Sequence, residues 1–189
     1  MPRKRPPDPY DDWVPPLSAP NPEQLAVWRT FLRAHALLTR RLEAELLVAH
    51  DLSLASYDVL VQLAEATGQQ LRMSELAERV LLSPSGITRL VDRLQRAGLV
   101  RREACASDAR GTFTVLTGAG LRRLREAAPT HLRGIAEHVI ARLDPGELQR
   151  LRALLEILVV PLVDPADAGR SAGESRAAGD QRQGALLEQ

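Results

Sequence analysis

The sequence is poor in cysteine, in aromatic residues and in long hydrophobic runs. Of its 189 residues one is a cysteine, Cys105, and 3% are aromatic. A single cysteine excludes an intrachain disulfide and cannot alone form a zinc site, which favours a reducing compartment. No apolar run approaches the roughly 18 residues that a membrane-spanning helix needs, and the N-terminal residues lack the apolar stretch of a signal peptide. We therefore predict a cytoplasmic protein that has no membrane partner.

An excess of charge of one sign is also absent, because the formal net charge is +1. The basic residues are nevertheless unevenly distributed, since residues 72–125 contain eleven arginines and five carboxylates. Apolar residues make up 44% of the chain and charged residues 26%. These values are typical of a soluble globular protein and exclude a wholly disordered chain.

The two ends of the chain are predicted to be tails. Residues 1–22 contain eight of the thirteen prolines, and residues 164–189 are rich in glycine, alanine, serine and charge. Because neither composition can bury a core, we predict a flexible tail over 1–21 and a disordered tail over 164–189. An alternative for the first tail is that Trp13, Val14 and Leu17 pin it onto a partner surface.

Between the tails, apolar residues recur with a helical period. A stripe with steps of three or four residues predicts a helix over about 22–49, and its members are Leu25, Trp28, Leu32, His35, Leu38, Leu42 and Leu46. A second helix starts after the capping residue Ser53 and ends near position 68. A third, short helix starts at Ser74, and a fourth begins at Ser83 and is closed by Gly98.

Beyond the fourth helix the period of the apolar residues changes from 3.6 to 2. Residues 99–104 and 112–116 are short β-compatible segments joined by a polar loop, which predicts a hairpin. Thr117 caps a fifth helix that continues toward Leu143 with a bend at Pro129. A sixth helix starts at the Asp-Pro-Gly-Glu segment, residues 144–147, and its leucines keep a heptad-like spacing that needs a facing helix.

The third and fourth helices, joined by a tight turn and followed by the hairpin, form the pattern of a winged helix-turn-helix. The predicted fold is therefore mostly α with a small β-hairpin wing. A winged helix-turn-helix lobe occupies about 53–120, and a helical region completes the domain. The polar side of the fourth helix carries hydroxyls and arginines, which suit base edges and phosphates.

The segment SELAERVLLSPSGITRLVDRLQRAGLVRREACASDARGTFTVLTGAG, residues 74–120, resembles the core of the MarR family of bacterial transcription regulators. Three motifs carry the resemblance: SxSGxTRLVDRLxxxGLVxR from position 83, Asp108-x-Arg110 in the wing, and LTxxG at 116–120. The likeness extends from Leu25 to Leu162.

The resemblance implies a MarR-type domain over 22–163 that forms a homodimer through helices at about 22–50 and 121–163. Two lobes would meet double-stranded DNA at a pseudo-palindromic operator, with the recognition helix of residues 83–97 in the major groove. The DNA-binding residues that the resemblance implies are Ser85, Thr88, Arg89 and Arg93 on that helix and Arg110 in the minor groove. Arg102 and Ser74 are further candidates for DNA contact. Asp108 would support the wing by pairing with Arg102 or Arg110. Gly111 replaces a basic residue of most members, which predicts a weaker wing contact.

Several of these residues have a second interpretation. Either Arg101 or Arg102 contacts phosphate while the other serves the hairpin. Ser74 is first a helix cap and only second a phosphate contact. Arg122, Arg123 and Arg125 are interpreted as a solvated helix face. The basic run at 3–5 is interpreted as a solvated tail, with a DNA-touching arm as the alternative.

Members of the family often bind small aromatic or phenolic anions in a crevice between the dimer helices and the DNA-binding lobe. The residues that match such a crevice are Trp28, His35, Tyr57 and Asp58, together with Phe31 and Arg89. The simpler interpretation, which we favour for each residue alone, is that the aromatic ones belong to the core.

No cofactor and no metal site are predicted, because the four histidines lack a ligand spacing and no carboxylate or cysteine cluster completes one. Cys105 is interpreted as a passive thiol rather than a redox switch. The chain also lacks a nucleophile triad, paired carboxylates and a phosphate-binding glycine loop, so we predict no enzyme. We expect a ligand-responsive repressor; the alternative is a winged-helix module that binds a protein.

Overall fold

The computed structural model describes residues 19–105 and 108–159, and the side chains of residues 105 and 108–111 are outside this description. The chain divides into two units, residues 1–40 and 41–189, and each is described by itself. The predicted tails lie outside the described residues, except that residues 19–21 precede the first helix.

The described residues form six α-helices and a three-stranded antiparallel sheet. Short 3-10 helices occupy Thr67–Gln69 and Ile140–Arg142. The helices are α1 (Pro22–His50), α2 (Leu54–Glu65), α3 (Met73–Arg79), α4 (Pro84–Arg96), α5 (Gly118–His138) and α6 (Pro145–Val159), and the strands are β1 (Gln70–Arg72), β2 (Val100–Cys105) and β3 (Asp108–Leu116). This order confirms the predicted fold, which is mostly α with a winged helix-turn-helix.

Hydroxyl caps fix the start of three helices as predicted. Ser53 Oγ accepts from the backbone N–H of Ser56 at 3.1 Å and so begins α2. Ser83 begins α4 and Thr117 begins α5 through the equivalent bonds, at 3.2 and 3.0 Å. Each cap satisfies an N–H group that the first turn of a helix leaves without a partner.

Three predicted helix limits are wrong. Helix α2 ends at Glu65 rather than near position 68, because Ala66 has extended dihedral angles. The third helix begins at Met73 rather than Ser74, and its N-cap is Arg72, whose backbone N–H donates to Glu75 Oε2 at 3.0 Å. Arg72 ends a strand with extended dihedral angles, so the helix follows the strand directly. Helix α5 ends at His138 instead of continuing toward Leu143, because Val139 leaves the helical region at φ −122° and ψ −64°.

The predicted hairpin is confirmed as β2 and β3, and β1 joins it at the far edge of β3 in the order β1-β3-β2. Leu71 of β1 and Arg102 of β2 both lie opposite Thr114 of β3. Strand β1 has three residues. A segment so short carries no visible alternation, which is why the sequence did not predict it.

The core of the second unit lies between α2, α3, α4, the strands and α5. Its side chains are aliphatic apart from one tyrosine, which explains how a chain with few aromatics buries a core. The most deeply buried are Leu46, Val59, Leu60, Leu63, Leu76, Ile87, Leu90, Val91, Val100 and Leu124. These residues hold α4 by its apolar side and leave its other side to the solvent.

The C-terminal end of α1 is closed by α5. Nε2 of His50 and Oγ1 of Thr130 are 2.9 Å apart, and Arg123 donates to the carbonyl of His50. The interpretation of Arg123 as part of a solvated face is therefore wrong. Its guanidinium satisfies a carbonyl that the helix end leaves without an intrahelical partner.

Candidate nucleic-acid interface

Helix α4 separates its apolar and polar sides. Ile87, Leu90, Val91 and Leu94 are buried, with exposed fractions of 3% or less. On the opposite side Ser85, Thr88, Arg89 and Arg93 are exposed. Four of the predicted DNA-binding residues thus share one solvent-facing surface, which we call the α4 polar face.

The guanidiniums of the α4 polar face are unpaired among the residues that the structure describes. In residues 19–105 and 108–159, neither the guanidinium of Arg89 nor that of Arg93 makes a hydrogen bond or an ion pair. The hydroxyls are partly engaged, since Thr88 Oγ1 donates to the carbonyl of Pro84 at 2.8 Å and Ser85 Oγ lies 3.3 Å from Ser83 Oγ. Two uncompensated guanidiniums on a helix face are suited to bind phosphate oxygens or the edge of guanine.

Arg102 is held by α4. Its Nη1 lies 2.6 Å from Asp92 Oδ1 and 3.4 Å from Gln95 Oε1. The structure pairs Arg102 with Asp92, a residue for which the sequence predicted no such role. The side chains of Asp108, Arg110, Gly111 and Cys105 lie outside the described residues, so the predictions for them stand as predictions.

Ser74 is exposed in the first turn of α3 and is not its cap. It borders a cleft of about 550 Å³ between α3 and α4, whose other walls include Leu81, Pro84 and Thr88. The cleft brings Ser74 to the same surface as Thr88. Ser74 is thus still available for the predicted phosphate contact.

Sequence analysis missed two features of this surface. Leu81 is 91% exposed and has a φ of +54°, at the turn between α3 and α4. Asp92 carries the ion pair with Arg102. No sequence signal predicts a positive φ at a leucine. The pairing of Asp92 with Arg102 was not predicted because one residue lies on a helix and the other on a strand, so no common periodicity relates them.

The residues of the predicted ligand crevice fall into both units. In the first unit Trp28 is 55% exposed and stacks on Phe31, with ring centroids 6.0 Å apart, and His35 is exposed. In the second unit Tyr57 is a buried core residue, whose ring centroid lies 4.5 Å from that of His131. Tyr57 therefore matches the simpler interpretation.

Burial raises the pKa of the Tyr57 phenol, with smaller contributions from the negative charges of Asp58 and Glu65. Asp58 is exposed as a residue, yet its pKa is raised too, because its carboxyl loses part of its water and because Glu43 lies nearby.

Other kinds of site find little support among the described residues. Residues 19–105 and 108–159 contain no group of three or more histidine, cysteine or carboxylate side chains placed to hold a metal ion. In the same ranges no single helix has the length and hydropathy of a membrane span; α1 and α2 pass that test only when counted together across the bend between them.

Comparison with known proteins identifies the family. A model of the MarR family matches residues 50–111. The structure is similar to that of Sco3205, a MarR family transcriptional regulator from Streptomyces coelicolor in complex with DNA, with 35% identity and a TM-score of 0.74 over 79% of this chain and 97% of Sco3205. It is also similar to AbsC, a MarR family transcriptional regulator from the same species, with 38% identity and a TM-score of 0.72 over 76% of this chain and 97% of AbsC.

A curated relative, an HTH-type transcriptional regulator of Bacillus cereus, is 35% identical over 94 residues, which are 50% of this chain. The match spans 60% of the length of that relative. The two Streptomyces structures, in contrast, are covered almost completely at more than 30% identity. The chain therefore belongs to the MarR family of transcriptional regulators.

Proposed function

We propose that the chain is a homodimeric repressor that binds a pseudo-palindromic operator and releases it when a small aromatic or phenolic ligand binds. This function would place the protein in the cytoplasm, where bacterial chromosomal DNA lies. It needs no catalytic residue and no cofactor.

The observation that carries the proposal is the α4 polar face. Arg89 and Arg93 are exposed there, and neither guanidinium has a hydrogen bond or ion pair within the described residues. Ser85 and Thr88 lie beside them on the same surface. Inserted into a major groove, this face would read base edges, and Ser74 would contact the backbone beside it. The complex of Sco3205 with DNA supports this use of the fold.

The proposed dimer is supported by apolar surface that each unit exposes. In the second unit α6 has no buried residue, and Leu154, Ile157 and Leu158 are 55% exposed or more. In the first unit Val27, Leu32 and Leu37 of α1 are 44–68% exposed. Contiguous apolar surface of this kind marks a protein interface, and a second copy of the chain would cover it.

The proposed ligand response is supported by the aromatic pair Trp28 and Phe31 in the first unit and by exposed His35 and Asp58. An aromatic anion would stack on the pair. Repression would weaken as the ligand favours a spacing of the two lobes that does not fit the operator.

Selection of genomic fragments followed by footprinting tests the DNA-binding proposal. We expect protection of an inverted repeat whose half-site centres lie about one duplex turn apart, with an affinity that falls steeply with salt. Addition of benzoate as a simple aromatic anion should release the fragment, and transcription in vitro from it should rise. A protein that protects no inverted repeat would contradict the proposal and favour the protein-binding module.

Sedimentation of variants tests the dimer. Leu154→Glu combined with Ile157→Glu should convert the dimer to a monomer, because two charges would be buried in an apolar contact. Gln149→Glu, an exposed polar residue of the same helix, is the matched control and should remain dimeric. A monomeric wild-type protein would refute this part of the proposal.

A further inference from the structure

We propose that Asp92 is a positioning residue that fixes the direction of the wing through Arg102, and that Arg102 holds the wing instead of binding a phosphate. The inference rests on the proposed DNA binding, and it adds a residue that determines how the two DNA-binding elements are placed relative to each other.

The contact joins the recognition helix to the first strand of the wing. Nη1 of Arg102 in β2 lies 2.6 Å from Asp92 Oδ1 and 3.4 Å from Gln95 Oε1, both in α4. Asp92 and Gln95 are three positions apart, so the guanidinium bridges successive turns of the helix. The side chains of Arg102 and Asp92 are 30% and 44% exposed. The carboxylate of Asp92 neutralises the charge of this guanidinium and so weakens its attraction for a phosphate.

A second contact anchors the wing at the same rung of the sheet. Thr114 of β3 lies opposite Arg102, is fully buried, and donates from Oγ1 to Sδ of Met73 at 3.0 Å. One strand of the wing is thus held by α4 and the other by α3. Beyond this rung β2 continues to Cys105, which is three residues or about 10 Å of extended chain. A rotation of the wing about the Arg102–Thr114 pair would therefore displace the outer part of the wing more than the pair itself.

The charge of Asp92 gives two opposite expectations. Asp92 lies in α4 among Arg89, Arg93 and Arg96. If its carboxylate were simply a solvated charge close to DNA, its removal would strengthen binding by relieving repulsion from phosphates. If it positions the wing, its removal weakens binding, because the wing is no longer held where it meets the groove.

The test is a double-mutant cycle on the operator found by genomic selection. Asp92→Ala and Arg102→Ala should each lower affinity about tenfold, and the double variant should lose little more than either one. Footprints should lose protection at the flanks that the wing covers and keep it over the half-site centres. The salt dependence of affinity should change equally in Asp92→Ala and Arg102→Ala, whereas a direct phosphate contact of Arg102 would make the slope shallower in Arg102→Ala alone.

Arg101→Ala is the matched control in the same strand, since Arg101 pairs with Glu103 at 2.6 Å and makes no bond to α4 within the described residues. Its effect should add to that of Asp92→Ala. The exchanged pair, Asp92→Arg with Arg102→Asp, should regain the flank protection that Asp92→Arg alone loses. Circular dichroism confirms that each variant is folded.

A readout without DNA separates this inference from the proposed function. In the free protein, Asp92→Ala and Arg102→Ala should speed amide hydrogen exchange in β2 and β3, and Arg101→Ala should not. Unchanged exchange, additive losses of affinity, tighter binding by Asp92→Ala, or a shallower salt slope for Arg102→Ala than for Asp92→Ala would each overturn the inference. A wild-type protein that binds no DNA would refute the proposed function, and the exchange experiment would still decide the role of the pair.

Discussion

His138 is joined to Glu45 by a contact of 2.8 Å between Nε2 and Oε1, which ties the end of α5 to the C-terminal part of α1. Arg41 donates to the same carboxylate oxygen at 2.7 Å. The hydrogen bond from His138 is the main reason that the pKa of Glu45 is lowered, with Arg41 adding to the effect and burial opposing it. The carboxylate is therefore stabilised in its ionised form in the folded protein.

We predict that Glu45→Gln destabilises the protein by up to about 1 kcal/mol near pH 6, with a smaller effect in acid. A lowered folded pKa contributes stability above the unfolded pKa, and this stability is lost as pH falls through the folded value. Urea unfolding from pH 6 to pH 3, at one protein concentration, measures whether the free energies of unfolding of wild type and variant converge as the pH falls. Glu156→Gln, which breaks the exposed pair with Arg152, is the control. A difference that stays constant down to pH 3 would contradict this account.

His131 predicts a second pH dependence. Its Nδ1 is buried without a hydrogen-bond partner in the described part of the chain, and burial lowers its pKa below the ordinary 6.5. As pH decreases below 6.5, the imidazole of His131 binds a proton in the unfolded chain before it does so in the folded protein. The free energy of unfolding therefore falls with decreasing pH, by at most about 1.4 kcal/mol per pH unit. His131→Phe should flatten this slope between pH 7 and pH 5. Exposed His35→Gln should keep it, and an unchanged slope in the phenylalanine variant would show that another group is responsible.

Gly120→Ala should destabilise the protein by about 1–3 kcal/mol. A Cβ at this position would lie 2.1 Å from the carbonyl oxygen of Leu99 and 2.8 Å from Leu116 Cδ1. Helix α5 would therefore have to move away from the start of β2 and the end of β3. Gly118→Ala in the same turn is the control, because its Cβ would meet only the end of the Arg122 side chain at 3.6 Å. Thermal unfolding compares the two. Equal midpoints would mean that the close approach at Gly120 is not required.

Arg89→Ala and Arg110→Ala should affect DNA binding differently. Loss of Arg89 should cost about 1–3 kcal/mol and relax the choice of base in the half-site. Loss of Arg110 should weaken binding mainly where the flanks are rich in A/T, whose narrow minor groove attracts arginine. Band shifts across operator variants measure both effects, with exposed Arg125→Ala of α5 as the control. If the two variants lost affinity equally on every sequence, the assignment of their roles would be wrong.

The sequence alone determined the helices and the wing, because the signals for these elements are local. Ser53, Ser83 and Thr117 cap the helices that they were predicted to start, and the change of period after Gly98 gave the hairpin. The α4 polar face was also predictable, since one helix displays its residues at a fixed angle whatever surrounds it. The matching motifs then indicated the family.

Only the tertiary structure decided which side chains meet across elements. It paired Arg102 with Asp92, turned Arg123 to the carbonyl of His50, buried Tyr57 against His131, and added β1 to the edge of the sheet. Such contacts depend on how helices and strands pack in space, and residues ten to eighty positions apart share no periodicity that a single sequence displays. Local propensity therefore fixed the elements of this protein, and packing fixed the partners of its charges.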